Sequence, residues 1–337
     1  MRIALDAMGG DFGPAPNVAG AILALIAAPD LHVVLVGDRG PVEALLTQAG
    51  SFPSDRVEVF HASQAVGMDE KPVDALRKKP DSSIARCWQL LADKSVDGFV
   101  SAGNTGAVVA GGLKLRRFLK CVQRPGIATV MPTAKGRCVI LDVGANVFPK
   151  PRHLLEYGVM GSVFARHMLG AEKPTIGLMN VGEEEGKGHE LVQQTYDLFR
   201  NSPFKDRFVG NIEGRDIHRG TVDVVVTDGF TGNVVLKLSE GVFEFVMNVV
   251  QQDVLGVLDV EKDKAMAAVK GMLGRFHYSS FGGASLLGVD GVCIICHGSS
   301  KDRAIANALG VAAKDVRVRL NDRIVEELQR LPATADE

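Results

Sequence analysis

Residues 2–14 read RIALDAMGGDFGP, a short apolar strand that runs directly into a glycine-rich loop. The same order recurs along most of the chain, where short β-branched runs alternate with segments whose apolar residues lie three and four positions apart. Such alternation is typical of β-α-β units, which build parallel sheets. We therefore predict an α/β fold, in which a doubly wound, mostly parallel sheet carries helices on both faces in an α/β/α sandwich.

The predicted elements cover nearly the whole chain. The strands are Arg2–Leu5, His32–Val36, Val57–Phe60, Gly98–Val100, Val139–Leu141, Thr175–Met179, Val222–Val226 and Val292–Cys296. The predicted helical segments include Asn17–Ala28, Asp81–Asp93, His153–Leu169, Glu190–Arg200 and Asn233–Gln251. The alternation is interrupted by a helical excursion near 236–276, where two helical stretches follow each other. Because no repeat of about 20–50 residues and no linker is visible, we predict a single domain over 1–331 and a short disordered tail at 332–337.

Charge and composition exclude several classes of protein. The 38 Lys and Arg residues face 40 Asp and Glu residues, for a net charge of -2, which argues against a generally basic nucleic-acid binder and an acidic tail protein. The start MRIALD lacks the features of a secretory signal, and the uncharged stretch Gly98–Leu113 is too short to span a bilayer. Five cysteines without an export signal indicate a reducing cytoplasm rather than a disulfide framework.

Glycine is the unusual residue, at 38 of 337 positions against a typical ~7%. Many glycines follow predicted strands, where backbone N–H groups at a helix N-terminus can approach an anion. The loops concerned are Asp6–Pro14, Ser101–Gly106, Asp142–Asn146, Asn180–Gly188, Asp228–Asn233 and His297–Ser300. Any tight turn between a strand and a helix also favours glycine. Six such loops with Asn, Asp, Lys or Ser beside the glycine nevertheless favour a shared site for a phosphate-like ligand.

None of these loops matches a nucleotide fingerprint. The first lacks the G-x-G-x-x-G register, and Gly182–Gly188 has the wrong spacing and the wrong last residue for a P-loop. ATP and NAD chemistry is therefore disfavoured. Lys187 remains a candidate because a lysine at a glycine-flanked turn can give phosphate a point charge. The alternative is a solvated lysine that balances Glu183, Glu184 and Glu185.

Seven sequence blocks stand in order along the chain. They are IALDAMGGDFGP at 3–14, SAGNTG at 101–106, LDVGANV at 141–147, NVGEEEGKG at 180–188, VGNIEGRDI at 209–217, DGFTGNVVLK at 228–237 and LLGVDGVCIICHGSS at 286–300. As a set they resemble the blocks of the bacterial phosphate acyltransferase family, PlsX. The chain departs from that pattern at Phe148-Pro149, at Ser285 and at Lys301-Asp302.

The resemblance implies an acyltransferase. Its reaction would be the reversible transfer of a fatty acyl group from acyl carrier protein to inorganic phosphate, giving acyl phosphate for phospholipid synthesis. The resemblance further implies a Rossmann-like homodimer without a metal or nucleotide cofactor. Such a dimer would work in the cytoplasm, peripherally associated with the membrane, and pass its product to a membrane-bound glycerol-3-phosphate acyltransferase.

The reaction needs a phosphate cradle, donors to the oxyanion of the tetrahedral intermediate and a proton for the departing thiolate. No nucleophile elbow of the G-x-S-x-G type is present. We assign Lys187 to phosphate, Asn233 to orientation of the carbonyl or phosphate, and His297 to protonation of the thiolate. The predicted phosphate- and substrate-binding residues are Gly9, Gly10, Asp11, Asn104, Thr105, Gly106, Asn146 and Asp228.

Each assignment has a structural alternative. The aspartates at strand ends, Asp6, Asp11, Asp142 and Asp228, are also typical helix caps. His297 is equally suited to hydrogen-bond a turn. The segment Cys293–His297 matches the C-x-x-C-H haem attachment pattern, but it lies in a predicted apolar strand, where cysteines behave as small hydrophobes.

Two segments are candidate interaction surfaces. Between Gly98 and Leu141 there is no Asp or Glu, and the positive residues are Lys114, Arg116, Arg117, Lys120, Arg124, Lys135 and Arg137. Because acyl carrier protein is acidic, we predict its docking on Arg116, Arg117, Lys120 and Arg124, with an ordinary solvated face as the alternative. Residues 263–276 form a basic amphipathic pattern that suits anionic lipid or, equally, packing in a dimer.

Two other functions fit the same sequence. One is a phosphotransacylase that uses acyl-CoA, which the positive segment mildly disfavours. The other is a non-catalytic module that binds acyl groups or phosphate on the same fold, since a fold alone does not fix a function.

Overall fold

The computed structural model describes residues 1–255, 261, 263–269 and 282–332. The strands are β1 Arg2–Asp6, β2 His32–Gly37, β3 Val57–His61, β4 Gly98–Ser101, β5 Gly126–Thr133, β6 Gly136–Leu141, β7 Ile176–Met179, β8 Phe208–Ile212, β9 Val224–Val226, β10 Ala284–Leu287 and β11 Val292–Ile295. The helices are α1 Ala15–Ala27, α2 Arg39–Ala49, α3 Pro72–Lys78, α4 Ser83–Ala92, α5 Thr105–Leu115, α6 Pro151–Phe164, α7 Glu190–Arg200, α8 Gly214–Arg219, α9 Gly229–Val249, α10 Asp302–Arg317 and α11 Leu320–Leu328. Residues 263–269 are also helical.

The predicted α/β architecture is confirmed, with seven parallel and three antiparallel strand pairs in one sheet of the described residues. The sequence pattern did not predict three of the strands. Strand β5 carries Pro132 near its end, β8 contains Gly210 and Asn211, and β10 has only four residues. These features weaken the β-branched pattern on which the strand prediction depends. The predicted disordered tail falls mainly on 333–337, which lie outside the described residues.

The sheet reverses direction in its middle. Its order is β3-β2-β1-β4-β11-β10-β5-β6-β9-β7-β8. Strands β1 to β4 and β11 are parallel to one another, and β6 to β9 form a second parallel set. Strands β10 and β5 lie between the sets and pair antiparallel with each other and with their outer neighbours. The two parallel sets therefore run in opposite directions.

The register brings the carboxyl ends of the two sets together. Ile295, the last residue of β11, pairs with Ala284, and the next residue, Ser285, pairs with Ala128. Ala128 in turn pairs with Leu141, the last residue of β6. The ends of β11 and β6 thus lie at nearly the same level, three strand spacings or about 14 Å apart. The loops that follow both sets meet at one crevice, the kind of place where open α/β sheets bind ligands.

Helices cover both faces of the sheet. On one face α1, α2 and α10 pack over the first parallel set, and α6, α7 and α11 pack over the second. On the other face α3, α4 and α5 pack over the first set, with α8 and part of α9 over the second. Alternate residues of one strand enter different core clusters, as Ile3 and Ala4 of β1 do. This alternation follows from the two-residue repeat of a strand.

Helix α9 begins the predicted helical excursion and buries few of its residues. Its 21 residues include only two that are buried, Gly229 and Gly232, both at its start. Apolar residues at helical spacing stay exposed on the side away from the sheet: Phe230, Val234, Leu238, Val242, Phe245 and Val249. We call these six residues the α9 outer face. Most of the second predicted stretch of the excursion, beyond 263–269, lies outside the described residues.

A buried carboxyl group gives the fold a pH dependence. Asp315 of α10 is 2% exposed, and burial raises its pKa from 3.8 to about 7, although hydrogen bonding to Ser285 and the nearby Lys314 oppose the shift. In the unfolded chain this group ionises near pH 4. Stability is therefore full below that pH and falls as the pH rises through about 7, by up to ~4 kcal/mol.

We expect Asp315→Asn to remove this loss because an amide does not ionise. The Tm of the variant relative to that of the wild-type protein should rise between pH 5 and pH 8, as thermal unfolding monitored by circular dichroism will report. An equal difference in Tm at both pH values would contradict the assignment.

Candidate active site

Two loops of the first parallel set interlock at the crevice. The carboxylate of Asp6, at the end of β1, accepts a hydrogen bond from Ser101 Oγ at 2.7 Å and one from the Met8 N–H. Burial raises the pKa of Asp6, against the effect of these hydrogen bonds. A Cβ atom on Gly9 would lie 2.6 Å from both the Asp6 carboxylate and the Gly103 nitrogen, so only glycine allows this contact. Asp6 is thus the buried anchor of the loop and caps no helix.

The loop after β11 joins the same group. The Asp11 N–H donates to the Gly298 carbonyl at 2.8 Å, which ties the first loop to the segment that holds His297. Asp11 itself is exposed, and Gly10 beside it has a φ of +92°. The predicted residues Gly9, Gly10 and Asp11 therefore lie together with His297 at the carboxyl ends of β1, β4 and β11.

Asn104 organises the start of α5. Its Oδ1 accepts from the Ala107 N–H at 3.0 Å, which makes it the N-cap of the helix. Its Nδ2 donates to the carbonyls of Gly67, Met68 and Glu70. These bonds occupy the side chain, so the geometry gives Asn104 a positioning role. Thr105 and Gly106 follow as the first two residues of α5 and carry N–H groups that an intrahelical bond cannot satisfy.

Asp142 plays the corresponding part in the second parallel set. Its carboxylate accepts from the N–H groups of Ile127, Gly144, Ala145 and Asn146 at 2.7 to 3.1 Å. Burial raises the pKa of Asp142, and the four donors oppose that effect. The predicted site residue Asn146 turns its amide inward, where Nδ2 donates to the Pro125 carbonyl and to the Tyr157 hydroxyl oxygen. Asp142 is thus a loop anchor, as Asp6 is.

The N-terminus of α9 lies against the Asp142 loop. Asp228 is the N-cap, and its carboxylate accepts from the N–H groups of Phe230 and Thr231 and from the Thr231 hydroxyl. The capping alternative therefore describes Asp228. One turn into the helix, Asn233 donates from Nδ2 to the Val143 carbonyl at 3.0 Å. This bond fixes the amide of Asn233 at the edge of the crevice.

A cavity of about 700 Å³ opens where the two sets of loops meet. Three predicted residues from three different loops line it: Thr105, Asn233 and His297. The His297 Nδ1 lies 2.8 Å from Ser299 Oγ and accepts from the Ser299 N–H, which orients the ring. The remaining wall is largely apolar and is formed by β5 and by the inner side of α9. The cavity thus joins a polar rim to an apolar groove.

Lys187 lies on the loop after β7, outside the residues that line this cavity. Its Nζ lies 3.9 Å from the Glu184 carboxylate, and its side chain is about half exposed. Asn180, Asn211 and Gln193 hold the backbone of this loop through its carbonyl groups. Strand β7 is two spacings, about 10 Å, from β6 and parallel to it, so the loop follows the same edge of the sheet.

The predicted docking residues Arg116, Arg117, Lys120 and Arg124 form a basic loop between α5 and β5. Arg116 ends α5, and Lys120 and Arg124 are exposed in the loop that follows. Arg117 is partly neutralised by Asp290, at 3.8 Å. Burial, and then the charges of Arg124 and Lys150, lower the pKa of His153 to about 4. The other two positive residues of the segment, Lys135 and Arg137, lie at the far end of β5, so the seven charges form two separate groups.

The C-x-x-C-H segment is part of the core. Cys293 packs in the cluster on one face of the sheet, and Cys296 packs in a cluster on the other. Burial raises the pKa of Cys293, and it raises the pKa of Cys296 to about 12. Both thiols are thus small buried hydrophobes, as the strand pattern predicts.

Comparison with known proteins identifies the family. A family model described as "Fatty acid synthesis protein" matches residues 1–323. The phosphate acyltransferase of Nitratidesulfovibrio vulgaris is 47% identical over 330 residues, which cover 97% of this chain and 94% of the relative. That of Dictyoglomus turgidum is 42% identical over 345 residues and the whole of both chains. The chain belongs to the phosphate acyltransferase family. The predicted resemblance is confirmed, and family membership makes the chain an acyltransferase.

Solved structures of low sequence identity share the fold of this family member. A phosphotransacetylase from Streptococcus pyogenes has a TM-score of 0.65 at 16% identity and covers 95% of this chain and 94% of its own. The EutD phosphotransacetylase from Staphylococcus aureus has a TM-score of 0.58 at 14% identity, with 98% of this chain and 94% of its own covered. Within the described residues, no helix combines the length and apolar character needed to cross a membrane.

Sequence reasoning missed two parts of this phosphate acyltransferase family site. The segment Gly67–Glu70 holds Asn104 through backbone carbonyls, which leave no signal in the side-chain pattern. The apolar groove escaped because its wall belongs to α9, whose inner apolar residues have the same spacing as ordinary core residues. Their only distinguishing signal is the second apolar stripe on the α9 outer face, which a helix that packs on one side does not need.

Proposed function

We propose that the protein reversibly transfers a fatty acyl group from acyl carrier protein to inorganic phosphate and forms acyl phosphate for phospholipid synthesis. The observation that carries this proposal is the cavity, which joins the polar rim of Thr105, Asn233 and His297 to an apolar groove. A thioester with a long chain presents the matching pair of surfaces. Membership of the phosphate acyltransferase family supports the same reaction.

The chemistry follows from the rim. A phosphate oxygen attacks the thioester carbonyl carbon, the carbonyl oxygen takes up negative charge, and the C–S bond then breaks to release the thiolate. The N–H groups at the start of α5 and the Asn233 amide are proposed to hold the anionic oxygens. His297 donates the proton that converts the thiolate into a thiol. In the reverse direction the same groups act in the opposite order.

Lys187 is proposed to attract phosphate along the edge that carries the loops of β6, β9 and β7. The alternative is that Lys187 is a solvated lysine that binds no phosphate, in which case the loop has only a structural role. We expect Lys187→Ala to lower kcat/KM for phosphate by about 10²-fold, because one positive charge near a dianion is lost. The matched control is Lys173→Ala, an exposed lysine just before β7 at its opposite end. Initial rates at varied phosphate concentration measure both, and equal kinetics in the two variants would exclude this role.

The basic loop is proposed to dock acyl carrier protein. The position of Arg124 supports this proposal, because the carbonyl of the next residue, Pro125, accepts a hydrogen bond from Asn146 of the Asp142 loop at the crevice. Charge reversal at Arg116 and Arg117 should raise KM for the acyl carrier protein substrate roughly 10-fold and weaken its salt dependence. KM for the small donor acyl-pantetheine should stay the same. If KM for the carrier substrate does not change, carrier docking lies elsewhere.

A homodimer is proposed because the α9 outer face leaves a continuous apolar stripe exposed. Contiguous apolar surface of this kind is typical of protein interfaces. Sedimentation equilibrium should give the mass of two chains, and Leu238→Glu on the stripe should shift that mass toward one chain.

Peripheral attachment to the cytoplasmic membrane surface is proposed from the basic amphipathic pattern of 263–276, of which 263–269 is helical. There acyl phosphate would reach a membrane-bound glycerol-3-phosphate acyltransferase. Flotation with anionic vesicles should carry the protein upward, and flotation with neutral vesicles should not.

The donor decides between the proposed function and its rivals. In the presence of phosphate, the purified protein should consume the long-chain acyl thioester of acyl carrier protein with a kcat/KM far above that for acyl-CoA. It should release one thiol for each acyl phosphate formed. A preference for acyl-CoA would indicate the phosphotransacylase. Binding of acyl carrier protein without thiol release would indicate the non-catalytic module.

A further inference from the structure

The apolar groove begins at the polar rim and continues between β5 and α9. Its floor contains Ile127, Thr129 and Met131, alternate residues that face the same side of β5. Its wall contains Leu236, Phe243 and Met247, which lie on the inner side of α9. The three wall residues are only half-buried, although large apolar side chains between a helix and a sheet are usually buried completely.

The groove stays open because α9 is held away from the sheet. At its start the helix packs closely, with Gly229 and Gly232 buried against the Asp142 loop and with Val235 and Leu236 partly buried against the core. Further along, His218 bridges the helix and β5, with Nδ1 3.2 Å from the Pro132 carbonyl oxygen and Nε2 3.2 Å from Ser239 Oγ. A polar spacer at this position fixes the separation between helix and strand, so the space between them is part of the fold.

Its dimensions fit a long hydrocarbon chain. The cavity volume of about 700 Å³ lies within the ~300–1,000 Å³ of ordinary small-molecule sites. From Asn233 to Met247 the helix advances 14 residues, or about 21 Å. Beyond the rim, α9 contributes three charged lining residues, Lys237, Glu240 and Glu244, and Lys237 Nζ lies 3.1 Å from the Glu240 carboxylate, so this part of the cavity offers a phosphate or carboxylate group no unpaired positive charge from the helix. The anionic end of a ligand therefore belongs at the rim and its apolar end in the groove.

We propose that the groove between β5 and α9 binds the hydrocarbon chain of the acyl substrate, and that Phe243 contacts the distal carbons of a long chain. This inference rests on the proposed function for the identity of the chain. Leu236 lies three residues from Asn233, about 4.5 Å along the helix, and Phe243 lies ten residues away, about 15 Å. Leu236 therefore contacts the first carbons of any acyl chain, whereas a short chain ends before Phe243.

The test compares two truncations of the wall. Displacement of a fluorescent long-chain fatty acid measures the affinities for palmitate and octanoate, and kcat/KM is measured for the palmitoyl and octanoyl donors. We expect Phe243→Ala to lower the affinity for palmitate and kcat/KM for the palmitoyl donor about 10-fold each. The affinity for octanoate and kcat/KM for the octanoyl donor should stay nearly unchanged. Leu236→Ala should lower the affinity and kcat/KM by similar factors for both chain lengths. The control Ile26→Ala, at a 62% exposed position on α1, should change neither.

The outcomes separate the groove from the reaction. If Phe243→Ala affects both chain lengths equally, or leaves palmitate affinity unchanged, the acyl chain binds elsewhere, even when acyl phosphate is formed. The same conclusion follows if the wild-type protein binds no palmitate. If the predicted chain-length pattern appears in binding but no acyl phosphate is formed, the groove stands and the proposed function fails. Thermal unfolding of both variants establishes that they are folded.

Discussion

His297→Ala should lower kcat for acyl transfer to phosphate by about 10²–10⁴-fold, the usual contribution of a positioned general acid. The departing alkyl thiolate is more basic than phosphate, so the tetrahedral intermediate expels phosphate more readily unless the sulfur is protonated as it leaves. His297 lines the cavity, and Ser299 orients its ring through Nδ1. The affinity for the acyl chain should change little, because the imidazole belongs to the polar rim and not to the groove.

The leaving group separates acid catalysis from a structural role of His297. A thiophenyl ester releases a thiolate that needs no proton, so His297→Ala should slow its transfer by less than about 10-fold. A variant with a displaced loop would slow both donors equally. Initial rates with the two donors, at one phosphate concentration, give the comparison. An equal loss with both donors would show that His297 supports the turn and leaves the proton transfer to another group.

Gly232→Ala should destabilise the protein by roughly 3 kcal/mol or more, among the largest effects of any single change in the fold. A Cβ atom at this position would lie 1.9 Å from the Asp142 carbonyl oxygen and 2.9 Å from the Thr227 side chain. The first obstacle is backbone, so no side-chain rotation relieves it. The N-terminus of α9 would have to move off the Asp142 loop, which carries Asn233 away from the crevice.

A second glycine in the same helix gives the matched control. A Cβ atom on Gly241 would meet nothing within 4 Å, and Gly241→Ala should stabilise the helix by about 0.5–1 kcal/mol. Urea unfolding of both variants measures the two free energies of unfolding. If Gly232→Ala unfolds at the same urea concentration as the wild-type protein, the close contact between α9 and the Asp142 loop is wrong.

The fold class was predictable because strands buried on both faces are short and β-branched. The reversal of the sheet was not predictable, since it depends on β5 and β10. Strand β10 has four residues and pairs with β5 from more than 150 residues further along the chain, and β5 carries Pro132 next to the turn of its hairpin with β6. Without these strands the two parallel sets would read as one uniform sheet, and the meeting of their carboxyl ends would not follow.

The candidate site was predictable to the level of loops and not of side-chain roles. Thr105, Asn233 and His297 line one cavity because each follows a strand end that the pattern located. Asp6 and Asp142 look like helix caps in sequence, yet the carboxylate of each anchors a loop and caps no helix. Asn104 and Asn146 resemble ligand-binding residues, yet their amides hold backbone carbonyls. Such distinctions depend on where a side chain turns, which residue spacing does not encode.

The central claim is that an acyl thioester and phosphate react in the crevice between the two opposed parallel sets. The most direct measurement is to mix the purified protein with phosphate and the long-chain acyl thioester of acyl carrier protein, and to trap the acyl phosphate with hydroxylamine as the hydroxamate. We predict hydroxamate that requires both phosphate and the protein, and that falls by about 10²-fold in Asn233→Ala. Folded protein that forms no hydroxamate would contradict the proposed reaction, and full activity in Asn233→Ala would contradict its location.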